Sequence, residues 1–236
     1  MSSRKKLGLR LKKFNDVHRK RLEKKLRSDF LSLLNDIDKA FEFSFNFKRL
    51  GKKLILTLLT NFKLMSKSRA DLNVDLWDKN ENLIKIPGIL RKLEEKYSKE
   101  IGKKVKNIVE VFRLQLSKII TEGKEKGTSY EEVAKNLKTR IKDMSLSRAR
   151  TIALTETTTL TSNLDYDMAT SAKMKSKTWI HAGGGKTDRP SHVLLDGTTI
   201  PIDSKFNVNG IMCNYAHDTV LPAGDIINCH CVTIYQ

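Results

Sequence analysis

The chain has 236 residues, with 45 Lys+Arg against 27 Asp+Glu and a formal net charge of +18. That length allows one or two domains with a sizeable core. Its longest apolar run, around Leu54 to Leu59, falls far short of the about 20 residues a membrane-spanning helix needs, and no membrane span is expected. The basic first residues lead into no apolar stretch or small-residue cleavage site, so no secretory leader is expected either. Three cysteines, an odd number, point to a reducing compartment.

The charge is concentrated at the front. Residues 1–27 carry Arg4, Lys5, Lys6, Arg10, Lys12, Lys13, Arg19, Lys20, Arg21, Lys24, Lys25 and Arg27, against only Asp16 and Glu23. An arm of this density attracts polyphosphate through counterion release without reading base sequence, and these twelve side chains are the candidate nucleic-acid contacts. A solvated face that serves solubility alone usually mixes signs. Leu26, Phe30, Leu33, Leu34, Ile37 and Phe41 then recur at helical spacing. Phe41, Phe43, Phe45 and Phe47 alternate with polar residues, which predicts a short strand or an extended segment with one buried face. A second helical pattern runs through Leu54, Leu58, Phe62 and Met65. Asp71, Asn73 and Asp75 open like a calcium loop, but Leu76 and Asn82 stand where glycine and a bidentate glutamate are required, so calcium is excluded there.

Tyr97, Ile101, Val105, Ile108, Phe112, Leu116 and Ile119 step by three or four residues and predict one long helix from about Ile89 to Glu122. Gly123 and Gly127 are expected to end it. Thr128 or Ser129 can cap the next helix, with Glu131 and Glu132 in capping-box position, and Val133, Leu137 and Ile141 supply its buried face. After Ser145 a further helix is expected through Ala149, Ala153, Leu160 and Met168. Its run Thr155 to Thr159 is weak helix material, so tertiary contacts must support it; Glu156 is the candidate docking carboxylate, for Arg189 or another basic residue of the tail.

Beyond Trp179 the composition changes. Half of the glycines, three of four prolines, four of five histidines and all cysteines follow it, and residues 181–236 have three cations against five carboxylates. The expected organisation is a basic arm (1–27), a helical region (28–176) and a small turn-rich domain (177–236), that is, an α+β protein with an elongated, mostly helical N-terminal region. In the tail, Lys177 to His181, Thr198 to Ile202 and Asn228 to Tyr235 read as extended, with Asp196-Gly197 a turn and Trp179 the core anchor.

His192, Cys229 and Cys231 have the ligand chemistry of a structural zinc, to be completed by His217, His230, Asp188 or Cys213. Cysteines separated by one residue face opposite sides of a strand, so they share a metal only where the backbone turns. The alternative is a packed cysteine, with Arg189 and His192 bracing loops. Asp196 with Asp203-Ser204-Lys205 superficially matches a metal-dependent nuclease, although a turn explains Asp196-Gly197 more simply. Gly183-Gly184-Gly185-Lys186-Thr187 lacks the first glycine of a phosphate loop and no helix is expected after it, and no nucleophile elbow accompanies Ser191 or Cys213.

The ordered set Trp179, Arg189-x-x-His192, Leu195-Asp196-Gly197, Phe206, Val208-Asn209-Gly210 and Asn228-Cys229-x-Cys231 resembles the domain of phage Mu F-like minor head proteins. Arg148 to Thr157 resembles the helix that precedes that domain, although Leu154 replaces the family's arginine and Tyr215-Ala216-His217-Asp218 replaces its Tyr-Pro-Gly-Asp stretch. The resemblance covers residues 145–236. It implies a non-enzymatic minor structural head protein of a tailed bacteriophage, inside the capsid at the portal vertex and in the host cytoplasm during assembly. Its expected partners are the portal protein, the major capsid or scaffold protein, and packaged double-stranded DNA. The rival reading is a free-standing DNA-binding protein or a metal-dependent, nuclease-like one.

Overall fold

The computed structural model describes residues 3–37, 45–77, 86–183 and 188–236. It has the expected α+β class. Long helices α1 (Ser3–Leu31), α2 (Phe47–Leu76), α3 (Ile86–Glu125) and α4 (Tyr130–Ser171) precede β1 (Ser176–Ile180), α5 (Pro190–Leu194), β2 (Thr199–Pro201), β3 (Phe206–Val208), β4 (Ile211–Cys213), α6 (Ala223–Ile226) and β5 (Val232–Tyr235).

Three local expectations change. Of the strand expected over Phe41 to Phe47, Phe41 and Phe43 lie outside the described residues, while Phe45 is irregular and Phe47 opens α2. The Arg49 N–H donates to Asn46 Oδ1 at 2.8 Å, so an N-cap overrides the alternation. Gly123 does not end α3, which runs on to Glu125; the glycine serves space instead, because a Cβ there would lie 2.5 Å from Val133 Cγ2 of α4. The helices expected on either side of Ser145 form one helix of 42 residues, begun where the Glu132 N–H donates to Ser129 Oγ.

The chain forms two compact units with interleaved segments, one of residues 21–61 and 95–150, the other of 1–20, 62–94 and 151–236. The first is helical. Leu22, Leu26, Phe30, Leu54, Phe112, Leu116 and Leu137 are buried in it. The Phe30 and Phe112 rings stack at 4.4 Å, and Thr57 Oγ1 donates to Asp29 Oδ2 at 2.7 Å.

The second unit is built on a three-stranded antiparallel sheet of order β2-β1-β5. Thr178 pairs with Thr199 and with Ile234, and Ile180 with Val232. Ile180, Val232 and Ile234 pack with Leu11 of α1, flanked by Leu7 and Leu72. Strand alternation sends Trp179 to the opposite face. There it forms a core with Phe206, Val208, Cys213, Leu221, Cys229 and Cys231. The β3–β4 hairpin closes on Asn209-Gly210, both at positive φ (51° and 85°), the two-residue turn that matches strand twist.

The threonine-rich half of α4 is buried in this unit, with Thr157, Thr158, Thr161 and Asp165 all enclosed. Thr158 and Thr161 hydroxyls donate back to the carbonyls of Leu154 and Thr157. Tyr215 Oη donates to Asn163 Oδ1 at 2.7 Å, and Tyr166 packs against Tyr215 and Tyr235. Asp165 receives Arg69 through two hydrogen bonds (2.9 and 2.5 Å) and Asn73 at 2.8 Å, a buried tie between α2 and α4.

Candidate metal centre

The site is assembled by four short segments around Trp179. Pro190 occupies the first turn of α5 after an extended Arg189, where its missing N–H has no cost and its fixed φ suits the helix. The Arg189 guanidinium donates to the carbonyls of Gly224 (2.6 Å) and Ile227 (2.7 Å), which ties the start of α5 to α6. His192, in the last turn of α5, is thereby held buried against the edge of the Trp179 ring, with centroids 5.4 Å apart. After α6 the chain turns through Asn228 at φ 58°. The Cys231 N–H then points back at Cys229 Sγ at 3.4 Å. The backbone therefore turns between the cysteines, and both thiols come to one side.

His192, Cys229 and Cys231 offer ligand atoms within 4.8 Å of one another, all three side chains buried. His192 Nδ1 lies 3.4 Å from Cys229 Sγ and 3.6 Å from Cys231 Sγ. Its Nε2 faces Asp225 Oδ1 at 3.5 Å. The three cysteines are free. The Cys231 hydrogen bond, helped by His217 and His192, holds the Cys229 thiol well below the usual thiol range against the opposing effect of burial. Cys231 is raised, first by its hydrogen bond to Cys229, then by burial and by the charge on Cys229.

Of the other nominated ligands, His217 lies close enough to the Cys229 thiol to hydrogen-bond it, and Asp188 and His230 line the same cleft as the triplet. Cys213 is a core residue, its thiol pushed up to about 12 by burial. His217 Nδ1 approaches Thr158 Oγ1 at 3.3 Å. His230 is half-buried, and burial lowers its pKa. Sequence reasoning passed over His181, whose Nδ1 is 3.5 Å from Cys231 Sγ and whose Nε2 faces Asp188 Oδ1 at 3.4 Å. A signal for it existed: two residues after Trp179, it has the parity of the face that carries the cysteines.

Asp196 serves the turn. Its Oδ1 accepts the His181 N–H at 2.8 Å, and its Oδ2 receives Lys5 at 3.3 Å. Gly197, at φ 78°, donates its N–H to the Trp179 carbonyl. Glu156 is half-buried on α4. The basic set lies on α1, and Lys5, Lys6, Arg10, Lys13, Lys20, Arg21, Lys24, Lys25 and Arg27 of it are exposed. Lys12 donates to the carbonyls of Ala182 and Gly183, and Arg19 to Asp16. No helix among the described residues is long and apolar enough to cross a membrane.

Residues 115–234 match the family model described as Phage Mu protein F like protein. A protein of Bacillus subtilis (strain 168) described as "Uncharacterized protein YqbB" is 33% identical over 135 residues, 54% of this chain and 44% of that protein. The chain therefore spans less than half the length of that curated relative. No solved structure matches the chain.

Proposed function

The chain belongs to the family of phage Mu protein F like proteins, and from that premise we propose that it is a minor structural head protein of a tailed bacteriophage. In this reading it acts on the capsid interior at the portal vertex and assists head morphogenesis. The observation that carries it is the family match itself, which spans Trp179, Arg189, His192, Asp196-Gly197 and the Cys229-x-Cys231 close. The module after residue 176 and the buried threonine face of α4 supply the docking body for the portal protein and for the capsid or scaffold protein. The exposed Lys and Arg of α1 contact packaged double-stranded DNA without base readout. A structural zinc on His192, Cys229 and Cys231 staples the module, whose strands of three to five residues bury little area of their own.

The part played is mechanical. Asp196 is taken up by the turn, and the nuclease reading is left without its first carboxylate. Mass spectrometry of purified mature and precursor particles tests the proposal. The protein is expected in both or in the precursor alone, in few copies. Its absence from both overturns the reading and leaves the free-standing DNA-binding alternative.

A further inference from the structure

The cysteine pair sits at the meeting point of two rows of side chains built alike. In one, Cys229 Sγ, His192 Nδ1, His192 Nε2 and Asp225 Oδ1 follow one another at 3.4 and 3.5 Å. In the other, Cys231 Sγ, His181 Nδ1, His181 Nε2 and Asp188 Oδ1 follow at 3.5 and 3.4 Å. His181, His192, Asp188, Cys229 and Cys231 line a single cleft.

We infer that the module holds a closed Cys2His2 zinc centre, with His181 as its fourth ligand beside His192, Cys229 and Cys231, and with Asp188 and Asp225 as the outer carboxylates that orient the two imidazoles. The inference rests on the zinc reading above and completes its ligand set.

Distances support it. Zinc bonds of about 2.3 Å to sulfur and 2.0–2.1 Å to nitrogen, at the tetrahedral angle, place sulfur and nitrogen about 3.6 Å apart. Three of the four Sγ–Nδ1 separations have this value, at 3.4, 3.5 and 3.6 Å; His181 stands outside the trio whose ligand atoms all lie within 4.8 Å of one another, so its imidazole closes inward when the ion binds. The chemistry agrees as well. Both imidazoles turn Nδ1 to the sulfurs and Nε2 to a carboxylate, the orientation in which a zinc-bound histidine donates its remaining N–H outward. Both Nε2 atoms are buried, and neither completes a hydrogen bond with the described residues, so the Asp–His pairs are in line without yet being closed.

The single row Cys229–His192–Asp225 also has the order of a thiol nucleophile, its base and the base's carboxylate. A nucleophile needs one such row. It does not account for a second thiol and a second His–Asp pair meeting the first, whereas a tetrahedral ion requires four donors. With thiols only 4% and 2% exposed, the centre leaves no open position and is structural. It fastens the segment after β1, the end of α5 and the entry to β5 to one atom.

The test uses the full chain purified without chelator, assayed for metal and titrated with Co2+ in place of zinc. The expected result is stoichiometric zinc and a cobalt spectrum of a tetrahedral site with two sulfurs. His181→Ala should weaken zinc binding by more than the about 10–100-fold expected of Asp188→Asn or Asp225→Asn, while His217→Ala leaves it unchanged. His181→Cys should restore binding with a third sulfur in the cobalt charge-transfer bands, a signature that a merely packed histidine would not produce. This variant also answers the question if His181→Ala fails to fold. Trace zinc with no tetrahedral cobalt spectrum overturns both the zinc reading and this inference. Unaltered affinity and spectrum in His181→Ala, or a loss confined to His217→Ala, overturns the fourth ligand and leaves the zinc reading in place.

Discussion

Lys177 stands in the middle of β1 with its side chain fully buried. Its Nζ lies 5.1 Å from the Tyr166 ring centroid and 5.7 Å from that of Phe206, with no hydrogen-bond partner among the described residues. Burial pushes its pKa down to about 8, with Cys213, Asp203 and Asp218 opposing the shift. Between pH 8 and the ordinary lysine range the unfolded chain therefore binds more protons than the folded one, and stability rises with pH across that window. The shift corresponds to something on the order of 3 kcal/mol. Lys177→Met should be the more stable protein at pH 7, and its advantage should shrink as pH rises through 8 to 10. Denaturant melts of both proteins at several pH values measure this; an advantage independent of pH would show that the ammonium is not the cause. Lys177 has the strand parity of Trp179, yet its burial was not legible, because a lysine is almost never fully buried without a partner. The partnership of Asp165 with Arg69 and Asn73 is equally silent, since its members lie 92 to 96 residues apart. His192, Cys229 and Cys231, by contrast, were legible from donor chemistry alone.

The helices show where periodicity reads well and where it misleads. The apolar seam from Tyr97 to Ile119 specifies α3, and Val133, Leu137 and Ile141 specify the front of α4. Gly123 misled because its local preference, to end a helix, is weaker than the space it provides: a methyl group there would press on Val133 Cγ2, a branched side chain with little freedom to move. Gly123→Ala tests this. Helix propensity favours alanine by about 1 kcal/mol, yet the substitution should destabilise the protein by about 1–3 kcal/mol through overpacking. Gly123→Ala combined with Val133→Ala should recover part of the loss, as read by thermal unfolding; a stabilised single variant would refute the close approach. The Asn209-Gly210 hairpin was not read as such, because its three-residue strands are too short to show alternation and the pair stood only as part of the family motif.

At the scale of the whole molecule, the densest positive charge sits on α1, a helix whose other side is buried. Deleting residues 1–27 would remove Leu11, Leu22 and Leu26 together with the cations, all three of them buried, so lost binding would say little about charge. Replacing exposed Lys20, Arg21, Lys24, Lys25 and Arg27 with Gln keeps the apolar side. Duplex affinity, followed by anisotropy over a salt series, should fall, and the log–log salt slope should flatten by up to about 4.5, or about 0.9 for each phosphate contact removed. An unchanged slope would place the DNA contact elsewhere. The arrangement of Leu11 against Ile180, Val232 and Ile234 also has a consequence for biosynthesis. The helical unit has all its residues once position 150 has left the ribosome, but Leu11 of α1 must wait for β5 to emerge. Until then Leu7 and Leu11 lack their β5 partners, and covering them joins segments far apart in sequence, the kind of distant pairing that folds slowly.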